Sequence, residues 1–221
     1  MKAFISYCAH NYYQHAQKAK EFLEAIEIKS FLADDDLRTA SDWKNTIVKE
    51  INTSEIFIPL LSKEFKASDW CSQELGIAYS QAKKIIPISL DGTKPYGFIN
   101  HLQTRSYENY GLQLLIAEGL LENHIMNGGL GFAKLVKEAG CFRYSEIVFK
   151  ILYPFFDVLD KETLNQIIVS AIKNGQVWLA NECAEKYIPE LLKKRKNDID
   201  PELYRKLEYQ IREGRWYSDN V

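Results

Sequence analysis

Apolar positions in the first half of the chain follow two alternating periods. Four β-rich runs, at residues 2–7, 29–33, 55–61 and 84–90, are five to seven residues long. Stretches with apolar or alanine positions at helical spacing lie between them. Residues 12–28 carry Ala16, Ala19, Phe22, Leu23 and Ile26; Ser41 and Asp42 offer an N-cap to a helix with Ile47, Val48 and Ile51; Ser68 caps one bearing Leu75, Ile77 and Ala78. The run at 55–61 is nearly all apolar, as expected of a strand buried on both faces. Strands alternating with helices predict a doubly wound, parallel α/β sheet.

The pattern changes after residue 109. One further helix, to about 126, closes the α/β module, and Asn127-Gly128-Gly129 marks the boundary. Beyond it the periodicity is purely helical, in segments near 131–138, 144–159, 162–174, 177–195 and 201–214. Asp160 and Asn174-Gly175 supply breaks, and Asp200-Pro201 a helix start. The expected layout is an α/β domain at 1–126 and an all-α domain at 127–221. The latter is a small antiparallel bundle or a few solenoid-type hairpins; no repeat of fixed period decides between them.

Charge narrows the function classes. The 28 basic and 30 acidic side chains of the 221-residue chain leave a formal charge of −2, so no net positive field favours nucleic acid or an anionic membrane. The longest apolar runs fall far short of the ~20 residues that span a bilayer, and the opening residues lack a leader pattern, which predicts a cytoplasmic protein. Cys8, Cys71, Cys141 and Cys183 are scattered without a CxxC pair, so reduced, mostly packed thiols are expected rather than disulfides or zinc. His10, His15, His101 and His124 are dispersed, and the triplet at 34–36 reads as a solvated turn, so no metal is proposed. The glycine cluster at 128–131 lacks the lysine of a phosphate loop and reads as a linker. The basic run at 193–196 reads as a helix end complementing its dipole, ahead of an acidic partner's site.

Several segments then agree in order and spacing with one family. Phe4-Ile5-Ser6-Tyr7, Phe31-Leu32-Ala33 followed by Asp35-Asp36-Leu37 and Trp43, the set Ser62, Phe65, Ser68, Trp70, Cys71 and Glu74, the strand Ile85-Ile86-Pro87-Ile88, and Pro95-Tyr96-Gly97-Phe98-Ile99 together resemble a prokaryotic TIR domain. The resemblance covers residues 1 to about 115 and implies a flavodoxin-like parallel α/β sheet, here followed by an all-α domain of unknown family. In TIR enzymes the functional glutamate follows a helical tryptophan by four residues, which transfers onto Trp70 and Glu74. Residues so spaced share a helix face. The implied activity is cleavage of the nicotinamide–ribose bond by an NAD⁺ glycohydrolase or ADP-ribosyl cyclase, used in prokaryotic, anti-phage immunity. NAD⁺ is then a substrate, and no cofactor is needed.

That chemistry suits a fixed carboxylate. Nicotinamide leaves neutral while positive charge builds on the ribosyl carbon, so Glu74 could stabilise the cation, hold the ribose hydroxyls or act as nucleophile. Tyr7, Trp43 and Trp70 are candidates to stack on the flat rings. Ser62, Asp36, Leu37 and Arg38 complete the expected substrate contacts at strand carboxyl ends. Cys8 departs from the basic or small polar residue often found after the first box, which leaves Arg38 as the basic candidate. Two other readings stand beside the enzyme: a non-catalytic TIR adaptor, and a virulence TIR that interferes with host signalling. All imply homo-oligomers through TIR–TIR contacts, with the helical domain free to recognise a protein partner.

Overall fold

A computed structural model describes residues 1–32 and 43–218, without the side chains of 9–11 and 214–218. The chain divides into two compact units, Met1–Gly119 and Leu120–Val221. Among the described residues no helix is long and apolar enough to cross a membrane.

The first unit is a five-stranded, all-parallel sheet with helices between its strands. In chain order it comprises β1 (Lys2–Ser6), α1 (Ala9–Ala25), β2 (Lys29–Leu32), α2 (Trp43–Thr53), β3 (Ile56–Leu61), α3 (Lys63–Ala67) and α4 (Asp69–Ser80). β4 (Lys84–Ile85), β5 (Ile88–Ser89), α5 (Tyr107–Tyr110) and α6 (Leu112–Glu122) follow, and the division between units falls within α6. The strands run in the order β2-β1-β3-β4, with β5 also beside β3. This is the flavodoxin-like arrangement, with helices flanking a sheet whose strand order reverses next to β1.

Register explains the core. Phe4 pairs with Phe31 on one side and Phe57 on the other, and the three rings stack across the sheet at centroid distances of 5.5 and 5.6 Å. Phe4 and Phe57 pack with Ile47 and Ile51 of α2, and with Cys71, Leu75 and Ala78 of α4. These helix positions recur every three or four residues, which turns one stripe of each helix inward. All six residues of β3 are buried, as its apolar run predicts for a central strand.

The run at 84–90 is expected as one strand but forms two. β4 pairs with β3 at Ile56 and Phe57, β5 at Leu60 and Leu61, and between them stand Pro59 and Pro87, neither with an N–H to give the ladder. Thr104 Oγ1 donates to the Pro87 carbonyl at 2.9 Å. The helix expected from 109 is likewise interrupted, because Gly111 takes φ +78° between α5 and α6.

Among its described residues the second unit forms helices and no strand. It contains α7 (Asn127–Glu138), α8 (Phe142–Leu152), α9 (Lys161–Lys173), α10 (Gly175–Trp178), a π-turn at Cys183–Tyr187, α11 (Ile188–Lys194) and α12 (Pro201–Ser218). The glycine cluster at 128–131 differs from the linker expectation: it lies inside α7, with Gly128, Gly129 and Gly131 buried. A Cβ on Gly129 would sit 2.3 Å from Thr163 Cγ2 and 3.2 Å from Leu159 Cδ2, so glycine is what lets α7 and α9 approach. The helix expected over 177–195 is broken as well. Pro189 cannot donate to the carbonyl four residues back, and the preceding turn widens into the π-turn.

Candidate functional site

β1 is flanked by the strands reached through α1 and through α2, so the strand order reverses beside it, and its carboxyl end is where open sheets leave a crevice. Alternation along β1 puts Ser6 on the same face as Phe4, the face covered by α2 and α4. On α4, Cys71, Leu75 and Ala78 point into that core, and Glu74 is drawn in beside them.

Glu74 is only 4% exposed, and Ser6, fully buried, donates its hydroxyl to Glu74 Oε2 at 2.5 Å. Such a charge-assisted bond fixes one carboxylate oxygen at the strand end. The sequence places Ser6 in the first matching segment but not among the candidate site residues. Its signal is visible there nonetheless, as a polar side chain that ends the apolar run Ala3-Phe4-Ile5 at the carboxyl edge of the sheet.

The two tryptophans meet. Trp43, first residue of α2, and Trp70, one turn before Glu74, are both half-buried, with ring centroids 4.4 Å apart and planes at 66°. The contact is edge-to-face. Lys44 Nζ lies 5.2 Å from the Trp70 centroid and 6.0 Å from that of Trp43, so an ammonium rests against both indoles. Lys44 also escapes a sequence reading, since only the meeting of α2 with α4 gives it that place.

The other expected residues separate. Tyr7 is 2% exposed, its ring 6.4 Å from that of Tyr13, so it belongs to the wall rather than the surface of the crevice. Ser62 is buried, and its hydroxyl caps α3 by accepting from the Phe65 amide at 3.0 Å. Asp36, Leu37 and Arg38 lie outside the described residues. Cys71 is buried, and its thiol donates to the Tyr7 carbonyl at 3.7 Å, tying α4 to the end of β1.

A rim of titratable groups follows β3 and β5. Burial raises the pKa of Tyr12, the nearby Glu64 and Asp91 raise it further, and its hydrogen bond with Ser62 opposes them. Burial alone would raise Asp91, but the Thr93 side chain and the Lys63 and Thr93 amides, both at 2.9 Å, outweigh it and hold this carboxyl below its ordinary range. Burial raises Tyr96, whose hydroxyl lies 3.5 Å from Ser72 Oγ and whose ring receives Lys66 at 5.4 Å. Among the described residues no group of three or more His, Cys, Asp or Glu side chains is placed to hold a metal ion.

The carboxyl end of the sheet thus brings together a buried, oriented carboxylate, a pair of indoles and a cation over their rings. Residues 3–116 match the protein family described as the TIR domain. No curated protein matches the chain.

Proposed function

Because the chain belongs to the TIR domain family, we propose that its α/β unit cleaves the nicotinamide–ribose bond of NAD⁺, as a glycohydrolase or ADP-ribosyl cyclase. The observation that carries this reading is Glu74, buried at the strand-order reversal and oriented by Ser6. A carboxylate held in place before reaction stabilises positive charge on the ribosyl carbon without reorganisation at the transition state, and in a dry site that attraction is strong. Trp70, one helical turn away, would stack on a departing or entering ring. NAD⁺ is substrate, so no resident cofactor is required. The cellular setting we propose is prokaryotic immunity, through NAD⁺ depletion or a nucleotide signal.

Nicotinamide release from NAD⁺ by the concentrated full chain, compared with Glu74→Ala, tests this directly. Release from the wild type alone supports the enzyme, and the nucleotide product separates hydrolysis from cyclisation. Absence of release from wild-type protein that light scattering shows to be assembled would overturn it.

TIR domains typically self-associate, and one observation favours an adaptor as the second reading. Tyr79 and Phe98 stack at 4.9 Å with planes 11° apart while 43% and 67% exposed, an aromatic pair suited to a protein surface. An adaptor would lose association on Phe98→Ser and be indifferent to Glu74→Ala.

A further inference from the structure

The basic run at 193–196 does not act as one patch. Lys194 pairs with Asp157 at 3.1 Å. Arg195, its side chain 12% exposed, donates to the Phe156 and Leu159 carbonyls and to Asp198, fastening the chain after α11. Lys196 does neither. Its ammonium lies 5.6 Å above the ring of Tyr204, at the edge of a cleft of about 920 Å³ between the start of α9, the loop before α12 and the first turn of α12.

Three cations line this cleft: Lys161, Lys196 and Arg205. None has a carboxylate within ion-pair distance among the described residues; Arg205 Nε donates only to the Pro201 carbonyl. One carboxylate faces them, Asp200, and it is engaged as the cap of α12, accepting from the Glu202 and Leu203 amides at 2.8 and 3.2 Å. Ile199, 3% exposed, and Leu203 give an apolar floor beside the half-buried Tyr204. The Tyr204 hydroxyl is hydrogen-bonded to Glu208, so the ring rather than the phenol oxygen is available to a ligand. In a chain of net charge −2, this is a local concentration of unspent positive charge beside an aromatic face.

We propose that this cleft binds a nucleotide, its phosphates held by Lys161, Lys196 and Arg205 and its base stacked on Tyr204. The volume falls in the ~300–1,000 Å³ range of small-molecule sites. An apolar floor favours a ligand with a ring to desolvate over a bare polyanion. Lys196 already shows the cation affinity of the Tyr204 face, and its flexible stem allows the ammonium to yield that face to a base and follow the phosphate. The site stands on its own observations and needs no NAD⁺ cleavage by the α/β unit.

Calorimetric titration of the full chain with ADP, with pyrophosphate and adenosine as its separate parts, tests the assignment. Expected are ADP binding that outweighs either part, weakening by about tenfold or more in Lys196→Glu, Arg205→Glu and Tyr204→Ala, and no change in Lys193→Glu, an exposed lysine outside the cleft. If a variant in the loop or α12 melts early, Lys161→Glu on the exposed first turn of α9 takes its place. No heat with ADP or GDP would overturn the proposal. So would pyrophosphate binding as tightly as ADP with Tyr204→Ala inert, which would leave an anion patch only, or ADP binding undiminished in all three cleft variants, which would put the nucleotide elsewhere in the chain.

Discussion

Among the described residues two carboxylates of the α/β unit are buried, Glu74 and Glu118, and none of the helical unit is. Glu118 is answered by Arg105 at 2.9 Å, an ion pair that ties α6 to the loop before α5. Two buried hydroxyls of the helical unit serve their own helix ends: Ser145 donates to the Cys141 carbonyl, and Thr163 to the Asp160 cap. Ser54 and Ser62 perform the same upkeep in the α/β unit. Ser6 does not, since its bond crosses from a strand to a helix and ends on a carboxylate. Burying a charge is expensive, so on the proposed reading the buried carboxylate at the sheet's carboxyl edge is kept for chemistry, where a buried hydroxyl in a helix serves maintenance.

The sharpest way to break this comparison is Glu74→Gln, which keeps the shape and removes the charge. On the proposed reading nicotinamide release falls by about 10²–10³-fold while the thermal melt is held or rises; a melt that collapses with activity would make Glu74 structural. Ser6→Ala comes next. Loss of a hydrogen bond to a charged group costs roughly 1.5–3 kcal/mol, so turnover should drop by about tenfold or more with KM little changed. Unchanged kinetics would remove Ser6 from the site.

Packing of the helical unit gives a third test, in stability alone. Gly129→Ala forces a Cβ against the stiff Thr163 Cγ2, and denaturant titration should show a loss of about 1–3 kcal/mol. Gly119→Ala meets Ile86 Cγ2 at the same 2.3 Å and should cost the α/β unit a similar amount, so a large disparity would reveal unequal plasticity.

Asp160→Ala should cost less, about 1 kcal/mol for a lost cap. Burial would raise this carboxyl, but its bonds from Thr163 lead those that bring it below the ordinary value. The cap therefore stabilises fully above the unfolded pKa and fades as pH falls through the folded one. The gap between wild type and variant must close in acid, and a gap independent of pH would refute the cap. The smallest effect concerns the thiols. Burial, with Glu146 and Glu182 nearby, pushes Cys183 up to about 12, so iodoacetamide at pH 8 should label exposed Cys141 and spare Cys183.

Local signals made much of the fold legible. The β1, β2 and β3 runs and the Ser68 cap, which accepts from the Cys71 amide, rest on neighbours a few residues apart. What escaped depends on pairs distant in sequence. A proline in β3 opposite another at the β4–β5 break splits a strand only once the two align, and the glycines of α7 read as a linker until α9 is laid against them. The same holds for the site. The four-residue spacing of Trp70 and Glu74 is local and was legible, while Ser6 on Glu74 and Lys44 on the two indoles are products of tertiary closure.

That closure bears on how the protein is made. Ser6 and Glu74 are 68 residues apart, and their bond waits on parallel pairings joined by long crossovers, the slow part of any folding reaction. At about 5–20 residues per second of synthesis, several seconds separate the two ends of the bond at the ribosome. On the proposed reading, a half-made chain is harmless to the dinucleotide pool of the cell that makes it, and maturation itself serves as the safety catch.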